Sequence, residues 1–180
     1  MNIDTLTVQD PSGHTVKLGD ARAERAGLIV LVRHFGCIFC RQRLAELVAQ
    51  TEPYADVDFA VWVIGNGTAL MAQDFVEKHN VTRSVYTDPS RNIYKVLGMN
   101  RNFGLNFKTL KQSIAAFKQG HRQTEVKGDL RQQGGVVVFD GQGDVTFSVA
   151  DNETGSDLPW NDIWTHLPGS TSVGGTASHD

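Results

Sequence analysis

Apolar residues fall along the chain in two patterns: short continuous runs, and stretches where they recur every three or four positions. The first is the pattern of strands buried on both faces, the second of helices that turn one face to a core. Leu28 to Val32, Asp58 to Ile64 and Gly135 to Asp140 are continuous runs and predict strands. Between the first two, Cys40, Leu44, Leu47 and Val48 predict the buried face of a helix that ends near Pro53. Strand, helix and strand in that order make a βαβ unit. Gly65-Asn66-Gly67 then turns the chain, and Ala72, Phe75 and Val76 stripe a helix from Ala69 to His79, with Thr68 as its N-cap and Asn80 as its stop. Gly-Asn-Gly has no third glycine at dinucleotide spacing, so it predicts no nucleotide site. Ser84 to Thr87 reads as a short strand, and Asp88-Pro89-Ser90 opens a short helix through Leu97, stopped by Gly98.

The ends of the chain follow turn chemistry. Residues 3 to 8 alternate, Asp10-Pro11-Ser12-Gly13 reverses the chain, and Val16 to Leu18 returns it, an N-terminal hairpin. Gly141-Gln142-Gly143 makes a second hairpin between Gly135–Asp140 and Asp144–Val149, and Leu158 to Leu167 is a last helix containing Trp160 and Trp164. Leu105 to Lys118 interrupts the alternation as an amphipathic insertion: Phe107, Leu110, Ile114 and Phe117 share one face, Lys108, Lys111 and Lys118 the other. Gly120 to Gln133 is polar and reads as a loop. From Gly169 the chain is mostly Gly, Ser, Thr and Ala, which predicts a disordered tail over 169–180 behind one domain over 1–168.

Composition changes this picture in two places. The net charge of -3 gives no overall attraction to nucleic acid or membrane. Yet Pro89 to Thr124 carries seven basic residues and no acid, which predicts one electropositive face. The first residues, Met-Asn-Ile-Asp-Thr, have neither the basic nor the apolar region of a secretory signal, and no apolar run reaches the roughly 18 residues of a membrane span. The cytoplasm is the expected compartment. There, two cysteines are more often catalytic or metal-binding than a structural staple.

Those two are Cys37 and Cys40, in Leu-Val-Arg-His-Phe-Gly-Cys-Ile-Phe-Cys-Arg, at the passage from the first strand into its helix. The free N–H groups and dipole of a first helical turn favour a thiolate, which is the nucleophilic form. Three residues on, Cys40 is about one turn away, close enough for a disulfide after a small adjustment. The spacing therefore reads as a redox pair with Cys37 attacking and Cys40 resolving. Half a zinc site and an inert structural pair are the other readings; zinc would need two further ligands, and no second Cys pair exists. No metal is expected. Covalent haem is excluded because Arg41, not His, follows Cys40. Arg41 is either a thiolate-stabilising charge or a solvated one, and His34 either a proton shuttle or a strand-end histidine bonded to backbone. Phe35 and Phe39 either rim the sulfur for an apolar substrate or belong to the core. Gly134 and Gly135 allow a close approach of backbone to the site, or mark a bulge.

The strand-helix junction with Cys-x-x-Cys and the closing hairpin resemble the thioredoxin fold. The likeness narrows on three phrases: His-Phe-Gly-Cys-Ile-Phe-Cys-Arg at 34–41, Tyr-Thr-Asp-Pro-Ser-Arg-Asn-Ile-Tyr-Lys-Val-Leu-Gly at 86–98, and Gly128-Asp129 followed by Gln133-Gly134-Gly135-Val-Val-Val-Phe-Asp-Gly. In this order they resemble the AhpC/TSA-related peroxiredoxin-like proteins, the group that includes prostamide/prostaglandin F synthase. The resemblance implies an α/β thioredoxin-like fold, a central mixed sheet flanked by helices. Typical peroxiredoxins place Pro and Thr seven and three residues before the reactive Cys; Val30 and His34 stand there in this chain. Thioredoxins carry Gly-Pro between the cysteines where this chain has Ile38-Phe39.

The expected function is a thiol-dependent oxidoreductase acting on a small-molecule peroxide, endoperoxide or disulfide. A thioredoxin-like or other dithiol donor would recycle it, without metal or organic cofactor and without nucleic acid. The rival expectation is a non-catalytic thioredoxin-like module whose basic face binds an acidic partner.

Overall fold

The continuous apolar runs become the centre of a seven-stranded sheet. In chain order the strands are β1 (Thr7–Gln9), β2 (Thr15–Lys17), β3 (Gly27–Leu31), β4 (Ala60–Gly65), β5 (Ser84–Thr87), β6 (Gly135–Phe139) and β7 (Val145–Ala150). The helices are α1 (Leu18–Arg22), α2 (Ile38–Thr51), α3 (Ala69–His79), α4 (Asn92–Val96) and α5 (Trp160–His166). The computed structural model describes residues 1–36, 38–99, 132–151 and 157–169, with backbone alone at 38–41. The predicted Leu105–Lys118 helix, most of the 120–133 loop and the tail from 170 lie outside the described residues.

The sheet order is β2-β1-β5-β4-β3-β6-β7. β3, β4 and β5 are parallel; β6 pairs antiparallel with β3, β7 with β6, and the N-terminal hairpin joins through β1 beside β5. Every residue of β3, β4 and β6 is buried because layers cover both faces. Alternation along each strand sorts side chains between two cores. Leu28, Val30, Val63 and Val136 point to a layer with Leu47 of α2, Phe75 of α3 and Ile163 of α5. Ile29, Leu31, Trp62 and Phe139 point to the other, with Ile3, Leu18 of α1 and Tyr94 of α4. There the Trp62 ring stacks on Phe139 at 5.1 Å between centroids.

Local signals set several boundaries. Thr68 Oγ1 accepts from the Met71 N–H at 3.3 Å, and Asn80 ends α3 in the left-handed region at φ 48°. Asp88 accepts the Ile93 N–H at 2.7 Å, so α4 begins at Asn92 rather than at Asp88-Pro89-Ser90. β1 covers Thr7–Gln9 only; Ile3 and Leu6 enter the core from the segment before it. β4 starts at Ala60, two residues later than the apolar run, and α5 at Trp160. Val48, expected on the buried face of α2, is 48% exposed, while Leu44 and Leu47 of that face are buried in the core.

Two polar ties close the chain on itself. Arg22 donates to both carboxylate oxygens of Asp4, at 2.6 and 2.9 Å, and to the Gly141 carbonyl, pinning the N-terminal segment and α1 to the β6–β7 turn. At the other end of β6, the Gln132 side-chain amide donates to the Met99 carbonyl at 3.2 Å, so Met99 and Gln132 lie side by side before the start of β6.

Candidate active site

In an open α/β sheet, chemistry collects at the carboxyl ends of the parallel strands. Here those ends are stapled by buried polar side chains. The Tyr94 hydroxyl, fully buried, lies 2.8 Å from the Val32 carbonyl and 2.9 Å from that of Ile64, bridging the ends of β3 and β4. The Asn66 side-chain amide donates to the Arg33 carbonyl, and Thr87 Oγ1 donates to the Gly67 carbonyl at 2.8 Å. Val32 and Arg33, which lead toward the cysteines, are therefore held on their backbone from two sides. In the sequence Tyr94 is one residue of the 86–98 phrase and Asn66 one of a Gly-Asn-Gly turn, and neither pattern shows the bond that its side chain makes.

Of the expected site residues, His34 is buried at the end of this lead. Phe35 is also buried, its ring 5.2 Å from Phe75 and packed against Gly65, where any Cβ would collide with it; it is a core residue, the second of its two readings. α2 begins at Ile38, so in the sequence Cys37 directly precedes the helix and Cys40 stands in its first turn. The first turn contains no acid to oppose a thiolate. Cys37 itself and the side chains of Phe39, Cys40 and Arg41 lie outside the described residues. Gly134 and Gly135 are places of close approach: a Cβ on Gly134 would meet the Leu31 carbonyl and Asp151 Oδ2, and one on Gly135 would meet the Val149 carbonyl and the Met99 side chain. What they admit is the end of β3 and the end of β7.

A charged cluster built on Arg43, Glu46 and Asp151, none of the three singled out by the sequence, stands beside this junction. Arg43 in the second turn of α2 pairs through Nη2 with Asp151 Oδ1 and through Nη1 with Glu46 Oε2, each at 3.0 Å. The Trp160 indole N–H donates to the other Glu46 oxygen. Asp151 follows the last residue of β7; its N–H donates to the Gly134 carbonyl at 3.0 Å, and its carbonyl accepts from the Gln133 side chain at 2.6 Å. Arg33 Nε donates to the Gln132 carbonyl at 3.3 Å. Burial pushes the Asp151 carboxyl above the usual carboxylate range, against the pull of Arg43 and Arg33.

Among the described residues no cluster of His, Cys, Asp and Glu is arranged to hold a metal, and no helix is long and apolar enough to cross a membrane. A cleft of about 380 Å³, lined by Thr51, Tyr54, Phe59, Val61 and Arg83 among others, opens at the amino ends of β4 and β5, away from the cysteine-bearing junction.

Sheet order, flanking helices and the strand-to-α2 junction define a protein of the thioredoxin and peroxiredoxin fold. Residues 46–153, more than half of the chain, match the AhpC/TSA antioxidant enzyme family, and the chain belongs to that family. The matched stretch begins within α2, after both cysteines. Thioredoxin-like protein AAED1, chloroplastic, of Arabidopsis thaliana is 28% identical over 173 residues, covering 90% of this chain and 70% of its own. Prostamide/prostaglandin F synthase of Homo sapiens is 30% identical over 143 residues, 74% of this chain and 70% of its own. The crystal structure of peroxidoxin BcpB from Mycobacterium tuberculosis superposes with a TM-score of 0.65 at 10% identity, covering 91% of this chain and 90% of that one, a likeness of fold. Family and fold together support a thiol oxidoreductase at the level of the family.

Proposed function

We propose that the protein reduces a peroxide, an endoperoxide or a small disulfide through Cys37 and Cys40, with a dithiol protein as the source of electrons. One observation carries the reading: α2 starts at Ile38, soon after the carboxyl end of β3, which supports reading the Cys-x-x-Cys of the sequence as a pair at the start of a helix. In the peroxide reaction the Cys37 thiolate attacks one peroxide oxygen, the O–O bond breaks, the alkoxide leaves and takes a proton, and Cys37 becomes a sulfenic acid. The Cys40 thiolate then displaces hydroxide, which leaves as water, and forms the Cys37–Cys40 disulfide. An external dithiol reduces that disulfide and is itself oxidised to a disulfide. With a disulfide substrate, Cys37 forms the mixed disulfide and Cys40 releases the second thiol. Arg41, four residues from Cys37, is the proposed stabiliser of the thiolate, and His34 the proposed proton carrier. Phe39, Gly134 and Gly135 are the proposed border of the substrate site. A reducing compartment such as the cytoplasm suits the cycle.

A steady-state assay with a panel of peroxides and disulfides, coupled to thioredoxin and its reductase, tests this. Cys37→Ser is expected to lose all turnover, and Cys40→Ser to keep a single oxidation at Cys37 without cycling. Turnover by Cys37→Ser at the parental rate would overturn the assignment.

A further inference from the structure

Arg43 is three residues beyond Cys40 on α2, so the two positions are about one turn apart along the helix. Its guanidinium divides between two carboxylates of different origin. Glu46 belongs to the same helix and is tied to α5 through Trp160; Asp151 comes from the end of β7, 108 residues away in sequence. Both members of the Arg43–Asp151 pair are nearly buried, with side chains 11% and 10% exposed. Gly134, with no Cβ, leaves the space that Asp151 Oδ2 occupies beside the end of β3.

We propose that Asp151 is a positioning residue for the redox helix: through Arg43 it fixes the second turn of α2 to the end of β7 and offsets a positive charge one helical turn from Cys40. The inference takes its functional meaning from the Cys37–Cys40 reading. Among the described residues, the charged groups that face Asp151 are Arg43 and Glu46 from α2 and Arg33 from the segment before the cysteines. Removing Asp151's charge leaves Arg43 less compensated, which favours a thiolate at Cys40. Removing Arg43's charge does the reverse.

Two effects of opposite sign are therefore expected, which a purely structural contact would not give. Peptide-resolved alkylation of the full chain across pH reads the apparent pKa of each thiol. Asp151→Asn, which preserves shape, is expected to lower the Cys40 value by about half a unit, roughly a threefold faster reaction below that pKa. Arg43→Gln is expected to raise it by a similar amount, Arg43→Lys to hold near the parent, and Asp151→Asn with Arg43→Gln to return toward the parent. Shifts of the same sign in both single variants, or none in either, overturn the proposal. Should Asp151→Asn fail to fold, Arg43→Lys near the parental value with Arg43→Gln above it supports the proposal, and equal shifts in the two overturn it. Alkylation needs no turnover, so these outcomes stand apart from the coupled assay: absent turnover with opposed shifts discards the enzyme reading alone, and turnover without shifts discards the positioning role alone.

Discussion

Asp4–Arg22 and Asp151–Arg43 are the same chemical pair in two settings, and the setting reverses the behaviour of the carboxylate. Asp4 is partly exposed, with a side chain 32% accessible, and takes two hydrogen bonds from one guanidinium. The Arg22 hydrogen bonds hold its carboxyl below the usual carboxylate range, and the Arg22 guanidinium is raised by the same contact. Asp151 receives one guanidinium nitrogen of an arginine shared with Glu46, in a drier place, and burial pushes it up instead. The first pair is a fastening between the N-terminal segment and the β6–β7 turn. The second leaves a carboxylate whose charge is only partly compensated, beside the helix that carries Cys40, which is the setting in which charge can be used to tune a neighbour.

The sharpest way to break this contrast is to remove Arg22. Arg22→Ala strips Asp4 of its partner and the Gly141 carbonyl of a donor, and is expected to cost about 3 kcal/mol in denaturant unfolding while thiol alkylation rates stay parental. A change in thiol reactivity without a loss of stability would abolish the distinction between the two pairs.

The pH dependence of stability separates them with a smaller effect. Asp4, lowered in the folded state, contributes stability that is present above the ordinary carboxylate pKa of about 3.9 and is lost as pH falls through its lower folded value. Asp151, raised, contributes stability that is fully present below about 3.9 and is lost as pH rises through its folded value. Unfolding curves across acidic pH should therefore show Asp4→Asn flattening the acid limb, and Asp151→Asn removing a decline on the rising side. Parallel curves for the two variants would show that burial does not set Asp151 apart.

How far the sequence foretold these features depends on the range of the interaction behind each. β3, β4 and β6 are legible because double burial leaves no polar residue to interrupt them, and α3 because Thr68 and Asn80 mark its ends locally. The family was legible for the same reason, its phrases being short and in order. Val48 was misassigned to a buried face because a helical stripe does not state how wide its contact is. The Arg43–Asp151 and Glu46–Trp160 contacts join residues 108 and 114 positions apart, and no spacing rule connects them. Tyr94 likewise counts in a sequence as one apolar residue of a short helix, although its hydroxyl bridges two strand ends. The cysteine phrase could thus be read locally, and the contacts that hold its strand and helix in place could not.

The proposed function rests on Cys37 and Cys40 acting as one redox pair. Intact-mass analysis after mild oxidation of the full chain with one equivalent of peroxide tests it most directly. The expected product is a monomer lighter by about two hydrogens, the signature of one internal disulfide, with the Cys40→Ser variant stopping at an oxidised Cys37. Unreacted thiols, an intermolecular dimer, or sulfinic acid on Cys37 with Cys40 untouched would contradict it.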